Sequence, residues 1–282
     1  MFKKTEICNI LIYKELNKLK EVAFLYDFDK TLSPMNMQEF ELVKDLGYEV
    51  DEFWKEIRKL EKKTDIDLIL SYLLQIKEMY EEKLKTPLTR EILNNYGKGI
   101  RYFPGVTTWF MRINEYGKRK GVKVKHYIIS SGMKEIIEGT SIADEFERIF
   151  ASTYLFTEDG TIKWPALAVN YTCKTQFVYR INKGTLDISN NKIINSYMPR
   201  EERAVPFQNI AYFGDGESDV PCMKIVKNRG GYAVAVYDEN KKMAQDFIMQ
   251  NRVTTIAKAD YTKDSKLEQI AMYIIDNAIG KE

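Results

Sequence analysis

A short apolar run that ends in two closely spaced aspartates is the feature that most constrains how this chain can fold. The run covers residues 22–26, the length of a buried strand, and Asp27 and Asp29 follow directly. Because side chains two residues apart in extended backbone point the same way, both carboxylates can face one spot. Paired carboxylates at the end of a strand suit a metal ion and a phosphoryl group, although aspartate is also common in ordinary turns.

Beyond residue 104 the chain alternates predicted strands with predicted helices. We predict the strands at 122–130, 146–151, 208–213, 230–236 and 257–261, and the helices at 107–119, 173–183, 239–250 and 265–279. A hairpin with an Asp-Gly turn is expected over 156–162, and Asn190 and Asn191 are expected to turn a second one within the polar segment 185–206. The alternation predicts a parallel sheet with helices on both faces.

The block between the aspartate pair and residue 104 is predicted as a helical insert. Gly47 is a good stop for its first helix, Asp51 a cap for its second, and Thr86 and Pro87 the opening of its fourth, with the third starting near residue 65. We therefore expect residues 1–33 and 105–282 to form an α/β core and residues 34–104 to cover its site. The alternative is a bundle that only extends the core.

Two more polar segments follow predicted strands. We expect Ser130, Ser131 and Gly132 to open a helix, where a hydroxyl and free backbone N–H groups form an anion site, or where serine only caps the helix. Asp215 and Asp219, in a glycine-containing loop, can both turn toward one ion. Ligands in open α/β sheets bind at the carboxyl ends of strands, so these segments are candidates for one site.

Composition excludes several classes of function. The net charge is +2 and no basic block occurs, so no nucleic-acid partner is expected; no run is long enough to cross a bilayer, so no membrane partner is expected either. Cys8, Cys173 and Cys222 lie far apart, which favours reduced thiols in the cytoplasm. The one histidine, His126, makes a Ser-His-Asp triad or two-histidine metal site improbable. Residues 1–20 are interpreted as a packed helix and not as a signal peptide.

The polar segments together resemble the motifs of the haloacid dehalogenase (HAD) superfamily of hydrolases. The resemblance is carried by Asp27-Phe28-Asp29-Lys30-Thr31, Ser130, Lys174 and Gly214-Asp215-Gly216-Glu217-Ser218-Asp219. The helical insert resembles the cap of the phosphoserine-phosphatase-like branch. The resemblance implies a Rossmann-like three-layer parallel-sheet α/β core with an inserted helical cap, and a magnesium-dependent phosphatase acting on a small phosphorylated metabolite.

The resemblance also implies roles for individual residues. Asp27 would be the nucleophile that forms an aspartyl-phosphate, and Asp29 the general acid and then the base. Mg²⁺ would bind the Asp27 carboxylate, the Asp29 carbonyl and Asp215, with Asp219 supporting that shell. Lys174 would neutralise charge on the nucleophile and the phosphoryl group.

Phosphate binding is assigned by the same resemblance. Ser130, for which Ser131 is the alternative, and the N–H groups up to Gly132 would hold phosphate oxygens, while Thr31 would fix the loop. Lys183 and Lys192 are alternatives to Lys174, which is preferred because it opens a helix after an extended run.

One departure from the branch bears on the substrate. Phosphoserine phosphatases carry a glutamate at the position of Asn36, and the nearest glutamate here is Glu39, so strict phosphoserine specificity is not expected. Arg58, Arg90 and Arg101 are candidate cap contacts. Other functions on the same chain are a phosphotransferase, a dehalogenase, and a non-catalytic module that binds a phosphorylated ligand. The dehalogenase is weaker, because carbon–halogen cleavage needs no leaving-group acid.

Overall fold

The computed structural model describes residues 20–279, which form a seven-stranded sheet with helices on both faces. The strands are β1 (Lys20–Tyr26), β2 (Val122–Met133), β3 (Arg148–Phe156), β4 (Ile162–Leu167), β5 (Ile210–Gly214), β6 (Tyr232–Tyr237) and β7 (Thr255–Lys258). The helices are α1 (Leu42–Asp45), α2 (Val50–Thr64), α3 (Leu68–Leu84), α4 (Arg90–Gly97), α5 (Val106–Arg119), α6 (Lys134–Glu138), α7 (Tyr171–Lys183), α8 (Asn191–Asn195), α9 (Val220–Asn228), α10 (Lys242–Met249) and α11 (Lys266–Ile279). No helix within residues 20–279 is long and apolar enough to cross a membrane.

The strand order is β4-β3-β2-β1-β5-β6-β7, and every neighbouring pair is parallel except β3 with β4. β1 lies at the centre, between β2 and β5. The order reverses direction there, so the carboxyl end of β1 is the position at which a doubly wound sheet opens a crevice for a ligand. This architecture confirms the predicted parallel-sheet α/β core, and the Asp159–Gly160 turn joins β3 to β4 as predicted, with Gly160 at φ +82°.

The side chains of β1 alternate between two hydrophobic cores. Val22, Phe24 and Tyr26 pack into a core with α5, α11 and the helical insert. Ala23 and Leu25 pack into the other core with α7, α9 and α10. A strand that is apolar on both sides is typical of a parallel sheet covered by helices on both faces. The layers are therefore helix, sheet and helix.

The helical insert shares its core with one face of the sheet. Its buried residues belong to the same continuous cluster as Val22, Phe24 and Tyr26. The hydroxyl of Tyr72 in α3 donates to the Ser131 carbonyl at 2.7 Å, and the hydroxyl of Tyr154 in β3 donates to the Leu73 carbonyl at 2.5 Å. These contacts tie α3 to the ends of β2 and β3. The division into a core and a cap at residues 34 and 104 stays a prediction.

Two glycines allow α4 and α6 to approach closely. A β-carbon on Gly139 would lie 1.9 Å from the Asn94 carbonyl oxygen, and one on Gly97 would lie 2.2 Å from the Ile136 carbonyl oxygen. No side chain fits at either position without moving backbone. The carboxyl end of the insert is therefore packed against the core through backbone contact.

Several predicted starts and turns in the helices were wrong. The first predicted helix of the insert is a 3₁₀ turn at Met37–Glu39 followed by the single turn of α1. Glu49, and not Asp51, precedes α2, with Asp51 in its first turn. The fourth helix begins at Arg90, because the Thr89 hydroxyl accepts from the Ile92 N–H.

The asparagine pair in the segment 185–206 was also misassigned. Asn190 caps the short helix α8 by accepting from the Ile193 N–H, so the pair starts a helix and does not turn a hairpin. An asparagine side chain can hydrogen-bond to nearby backbone groups both at a helix start and in a hairpin turn. The local sequence therefore does not distinguish the two, and the packing of the segment decides between them. The predicted N-terminal helix and Cys8 lie outside the described residues. Cys173 is an exposed free thiol and Cys222 a buried one.

The single histidine is part of a buried polar network that joins β1 and β2 to α5. Trp109 Nε1 donates to the Tyr26 hydroxyl at 2.9 Å, and that hydroxyl lies 3.1 Å from His126 Nδ1. His126 Nε2 lies 3.1 Å from Asn114 Oδ1. Burial lowers the pKa of His126 to about 3, so the ring is neutral and each of its nitrogens has a partner. This residue stabilises the core and stays out of the candidate site.

Candidate active site

The two acidic motifs meet at the carboxyl ends of neighbouring strands. β1 and β5 are paired, with Tyr26 opposite Phe213, and the Asp27 N–H continues the pairing by donating to the Phe213 carbonyl at 2.9 Å. Asp27 and Asp215, each following the last residues of its strand, are thus held side by side. Carboxylate oxygens of Asp27, Asp215 and Asp219 lie within 4.8 Å of one another.

The Asp27 carboxylate is fixed through one of its oxygens. Oδ1 accepts from the Phe28 N–H at 2.8 Å and lies 3.2 Å from Lys174 Nζ. Among residues 20–279, no hydrogen bond reaches Oδ2, which leaves that oxygen available to a ligand. Burial, and then the charge of Asp219, raises the pKa of Asp27 to about 6, against the opposing effect of Lys174. A carboxylate aligned in this way, with one oxygen available, is suited to nucleophilic attack.

Lys174 is a fully buried cation between two carboxylates. Its Nζ lies 2.8 Å from Asp219 Oδ1 in addition to its contact with Asp27. Burial alone would lower its pKa, but Asp219 and Asp27 outweigh burial and raise it. The alternatives Lys183 and Lys192 lie elsewhere: Lys183 Nζ donates to the carbonyls of the 185–206 segment, and Lys192 is exposed on α8.

Asp219 is held by three donors, which fix it in place. Its Oδ1 accepts from Lys174 and from the Tyr212 hydroxyl, each at 2.8 Å, and its Oδ2 accepts from the Gly216 N–H at 3.3 Å. Gly214 is required here, because a β-carbon on it would lie 2.5 Å from Asp219 Oδ2. Asp219 therefore orients Lys174 and closes the loop that carries Asp215.

Asp215 is the carboxylate of the cluster with the fewest protein partners. The Thr31 hydroxyl lies 3.4 Å from its Oδ1. Burial, and then the charges of Asp219 and Asp27, raises the pKa of Asp215 to about 8. A group of carboxylates that repel one another in a buried place is stabilised by a divalent cation, which prefers oxygen ligands.

Asp29 lies apart from that cluster, and its carboxylate is oriented by the insert. Its Oδ1 accepts from the Met37 N–H at 2.8 Å. Burial, and then the charge of Asp27, raises the pKa of Asp29 well above its usual range. The side chain of Asp29 is thus not among the carboxylates grouped around one point, and its predicted metal contact through the carbonyl stays a prediction. A buried carboxyl group whose pKa is raised in this way is suited to act as an acid.

The loop after Asp29 is built around a left-handed turn. Lys30 has φ +57°, and the buried Thr31 carbonyl accepts from the Tyr261 hydroxyl at 2.7 Å. The Thr31 hydroxyl therefore reaches Asp215 from a fixed loop. Tyr261, which follows β7, was not found from the sequence, because nothing in its local pattern distinguishes it from an ordinary core tyrosine.

The predicted helix start at Ser130 was wrong. β2 stays extended through Met133, which pairs with Ser152 across a bulge, and α6 begins only at Lys134. The Gly132 N–H donates to Ser130 Oγ at 3.0 Å, and the Met133 N–H donates to Met37 Sδ at 3.0 Å. The Gly132 N–H, which the sequence assigned to an anion, is thus occupied in this structure, and so is the neighbouring Met133 N–H. Ser130 itself is fully buried, and Gly132 faces Asp29.

Met37 is the contact that sequence reasoning missed at this place. It is buried, and it covers Gly132 while its N–H holds Asp29. It belongs to the insert, so a segment far along the chain from Ser130 completes the site. A methionine in a helical pattern carries no signal for such a role.

Most of the insert residues expected to contact the substrate already have other partners within the protein. Glu39 Oε1 accepts from Trp54 Nε1 at 2.7 Å and from Asn36 Nδ2 at 2.5 Å. Arg90 lies 4.1 Å above the Phe156 ring and Arg101 5.5 Å above the Phe40 ring. Arg58 is exposed on α2.

The chain is similar to several known proteins, although no protein-family model matches it. An uncharacterized protein of Borreliella burgdorferi is 31% identical over 272 residues, which cover 87% of this chain and 93% of the relative. Among solved structures, a HAD-family hydrolase from Salmonella enterica serovar Typhi matches with a TM-score of 0.58 at 16% identity, over 91% of this chain and 72% of that one.

Solved phosphoserine phosphatases have the same fold. One in the apo form matches with a TM-score of 0.55 at 16% identity, and one with bound substrate matches with a TM-score of 0.52 at 17% identity. Each match covers 90% of this chain, with 99% and 98% of the respective phosphatase. This chain therefore belongs to one family with the Borreliella burgdorferi protein, and its fold is the one seen in HAD-family hydrolases and phosphoserine phosphatases.

Proposed function

We propose that this protein is a magnesium-dependent phosphatase that hydrolyses a small-molecule phosphomonoester through an aspartyl-phosphate on Asp27. The observation that carries the proposal is the setting of Asp27: a buried carboxylate at the sheet's switch point, fixed through Oδ1 by Phe28 and Lys174, with Asp215 beside it. The phosphoserine phosphatases with this fold supply the reaction class as an analogy.

The residues present fit a magnesium ion. Asp27, Asp215 and Asp219 offer carboxylate oxygens within 4.8 Å of one another, and oxygen is the ligand that this ion prefers. Asp27 and Asp215 would hold the ion, together with the carbonyl of Asp29, while Asp219, already bound by three donors, would support them. A bound Mg²⁺ would neutralise negative charge on the phosphoryl oxygens and on Asp27.

In the first half of the proposed reaction, Asp27 Oδ2 attacks phosphorus and the ester P–O bond breaks. Asp29 gives its proton to the leaving oxygen, so an alcohol departs and an acyl phosphate remains on Asp27. The raised pKa of Asp29 supports this role, because burial and the charge of Asp27 favour its protonated form, which is the form that acts as an acid. Lys174 balances the charge on Asp27 throughout.

In the second half, Asp29, now ionised, takes a proton from water. The water oxygen attacks phosphorus, the bond to Asp27 breaks, and inorganic phosphate leaves. The carboxyl of Asp29 is again protonated and Asp27 is again a carboxylate, so the cycle closes. Phosphate monoesters resist uncatalysed hydrolysis strongly, which is why a covalent intermediate is favoured over direct attack by water.

Phosphate oxygens would be held by Ser130, by the Ser131 and Gly132 backbone and by the Thr31 loop. Binding there requires the Gly132 N–H to exchange its hydrogen bond to Ser130 Oγ for one to a phosphate oxygen, and the neighbouring Met133 N–H can exchange Met37 Sδ in the same way. A hydroxyl and a thioether are weaker acceptors than an anionic oxygen, so both exchanges favour the ligand. The substrate's remaining part would face Asn36, which differs from the glutamate of phosphoserine phosphatases, and phosphoserine is therefore not expected to be the preferred substrate.

Hydrolysis of p-nitrophenyl phosphate with and without Mg²⁺ tests the proposal. We expect turnover with Mg²⁺, none in excess chelator, and a loss on the order of 10⁴-fold or more for Asp27→Asn, because the nucleophile is removed. The matched control is Asp246→Asn, a partly exposed aspartate on α10, which should keep full activity.

Two outcomes would contradict the proposal. Full turnover in excess chelator would exclude a requirement for the metal. An active Asp27→Asn protein would exclude Asp27 as the nucleophile. A panel of phosphomonoesters, assayed by phosphate release, then identifies the substrate, and transfer of the phosphoryl group to an added alcohol would identify a phosphotransferase.

A further inference from the structure

The segment 185–206 is held against α7 by two cations of that helix. Arg180, 2% exposed, donates to three main-chain carbonyls and one amide oxygen, those of Asp187, Ile188, Asn190 and the Asn191 side chain. Lys183 donates to the Ile194 and Ser196 carbonyls at 2.7 and 2.6 Å. Two charged side chains thus bind the backbone of a segment that has no part in the site around Asp27.

This arrangement leaves a groove between α7 and the segment 185–206. Its main cavity has a volume of about 520 Å³, with Tyr179 and Tyr197 among the residues that line it. A smaller cavity adjoins it, since Arg203 and Arg229 line both, and Arg200 completes the smaller one. We call the two cavities together the arginine groove.

The charged side chains that line the arginine groove are all positive. Its lining includes Lys183 and the three arginines but no aspartate or glutamate among the described residues. The whole chain is nearly balanced, with 43 basic and 41 acidic residues, so a lining of one sign is a local feature. Such a lining attracts an anion.

The guanidinium groups of the groove have few partners in the protein. Within residues 20–279 none of the three forms a salt bridge; Arg203 reaches only the Met198 carbonyl, at 3.4 Å, and Arg229 lies 5.6 Å from the Phe207 ring. Their N–H groups are therefore available. Guanidinium groups bind phosphate oxygens in paired hydrogen bonds, which makes phosphate the anion that this lining fits best.

A second observation comes from Asn182, which also lines the main cavity. Its side chain is fully buried, and its Nδ2 donates to the Val205 carbonyl at 2.7 Å, which fixes the orientation of the amide. Its Oδ1 accepts no hydrogen bond from any residue that the structure describes. A buried acceptor without a donor is costly, so this oxygen is suited to an N–H group of a ligand.

We propose that the arginine groove is a second ligand site, separate from the Asp27 centre, which binds a nucleotide. The phosphates would lie on Arg200, Arg203 and Arg229, and the base would lie in the main cavity, near Tyr179 and Tyr197, with an amino group directed to Asn182. The combination of arginines, aromatic rings and an unpaired amide acceptor distinguishes this ligand from inorganic phosphate. The proposal does not depend on the reaction proposed above.

The test measures ATP binding by calorimetry to full-length Asp27→Asn protein, so that ATP is not turned over at the other site. We expect saturable binding that Arg203→Gln/Arg229→Gln weakens at least tenfold. The matched control is Arg252→Gln: Arg252 lies 5.8 Å from the Phe247 ring, the same kind of contact as that of Arg229, but outside the groove. Arg252→Gln should leave ATP binding unchanged.

Further binding measurements test which parts of ATP the groove recognises. Adenosine and inorganic phosphate should each bind more weakly than ATP, and inorganic phosphate should compete with it. Arg200→Gln, a change at an exposed side chain, provides a variant that folds if the double variant does not, and it should also weaken ATP binding. The absence of ATP binding, or binding that all three groove substitutions leave unchanged, overturns the proposal. Binding of phosphate as tight as that of ATP overturns the assignment to a nucleotide.

Discussion

At the scale of single residues, the site depends on one buried cation shared by two carboxylates. Lys174 lies within 3.2 Å of Asp27 and 2.8 Å of Asp219; the lysine and Asp219 are fully buried and Asp27 is only 6% exposed, so water screens the three charges little. A buried ion pair contributes little net stability when intact, but removing one partner leaves an uncompensated buried charge. Lys174 therefore matters for folding as well as for the proposed chemistry.

Substituting Lys174→Met should destabilise the protein by about 3–5 kcal/mol, because Asp219 and Asp27 would lose their cation. Urea unfolding in metal-free buffer measures the change. The double substitution Lys174→Met/Asp219→Asn should recover part of the loss, and Lys224→Met, at an exposed position on α9, should change stability by less than about 0.5 kcal/mol. A Lys174→Met protein as stable as the parent would contradict this account.

The raised pKa values of Asp27 and Asp215, about 6 and about 8, predict a pH-dependent stability. Both values exceed the usual carboxyl pKa of about 4, so between those limits the folded chain holds more protons than the unfolded chain. The stability that these protons contribute is fully present below about pH 4 and is lost as the pH rises through about 6 for Asp27 and about 8 for Asp215. The melting temperature of the metal-free protein should therefore fall between about pH 4 and about pH 8.

Mg²⁺ should oppose that fall, because it takes the place of the protons on the same carboxylates. At roughly 10 mM it should raise the melting temperature more at about pH 8.5 than at about pH 5. Asp215→Asn should reduce both the pH dependence and the effect of Mg²⁺. Equal stabilisation at both pH values, measured by differential scanning fluorimetry, would argue against binding at these carboxylates.

At the scale of elements, the sequence located the strands of the parallel sheet well and the helix starts of the insert less well. β1, β5 and β6 are apolar runs that end in glycine or are followed directly by aspartate, so both their apolar character and their ends are local signals. The start of α4 was misplaced because Thr86 and Thr89 are equivalent as caps, and only the pairing of Thr89 with Thr161 decides between them.

The segment after Ser130 shows why part of the candidate site was not predictable. Its extension depends on Ser152 in β3 and on the sulfur of Met37, both remote in sequence. Asp27, Lys174, Asp215 and Asp219 were located because each lies at a strand end or helix start, where local pattern is informative. Tyr212, Met37 and Tyr261 act through contacts that no local pattern encodes.

The close contact of α4 with α6 predicts that two glycine-to-alanine substitutions change the stability by different amounts. Gly139→Ala should cost about 1–3 kcal/mol of stability, because its β-carbon would overlap the Asn94 carbonyl oxygen. Gly216→Ala is the control: Gly216 has φ −123°, and no atom lies within 4 Å of the added carbon, so its stability should change by less than about 0.5 kcal/mol. Equal stabilities in urea would show that α4 and α6 separate easily.

At the scale of the whole molecule, the helical insert and the sheet should unfold together. They share one continuous hydrophobic core, and Tyr72 and Tyr154 bond across the boundary. A shared core makes partial unfolding expose apolar surface on both sides. Fluorescence of a protein that retains only Trp54, in the insert, should give the same urea midpoint as one that retains only Trp109, in the core.

The two single-tryptophan proteins can be compared because Trp54 reports unfolding of the insert and Trp109 reports unfolding of the core. Far-UV circular dichroism of the same samples supplies the global midpoint, and each single-tryptophan protein is compared with its own dichroism curve, so that differences in stability between the two variants cancel. A Trp54 transition that precedes the dichroism transition would mean that the insert melts independently.

The burial of His126 makes its chemical reactivity a measure of how often the centre of the sheet opens. The sole imidazole of the chain is shut between Tyr26 and Asn114 at the middle of the sheet, and it stays uncharged down to strongly acidic solution. An acylating reagent selective for imidazole would thus react with His126 only when the centre of the sheet opens transiently. The rate of acylation would therefore measure how often that opening occurs.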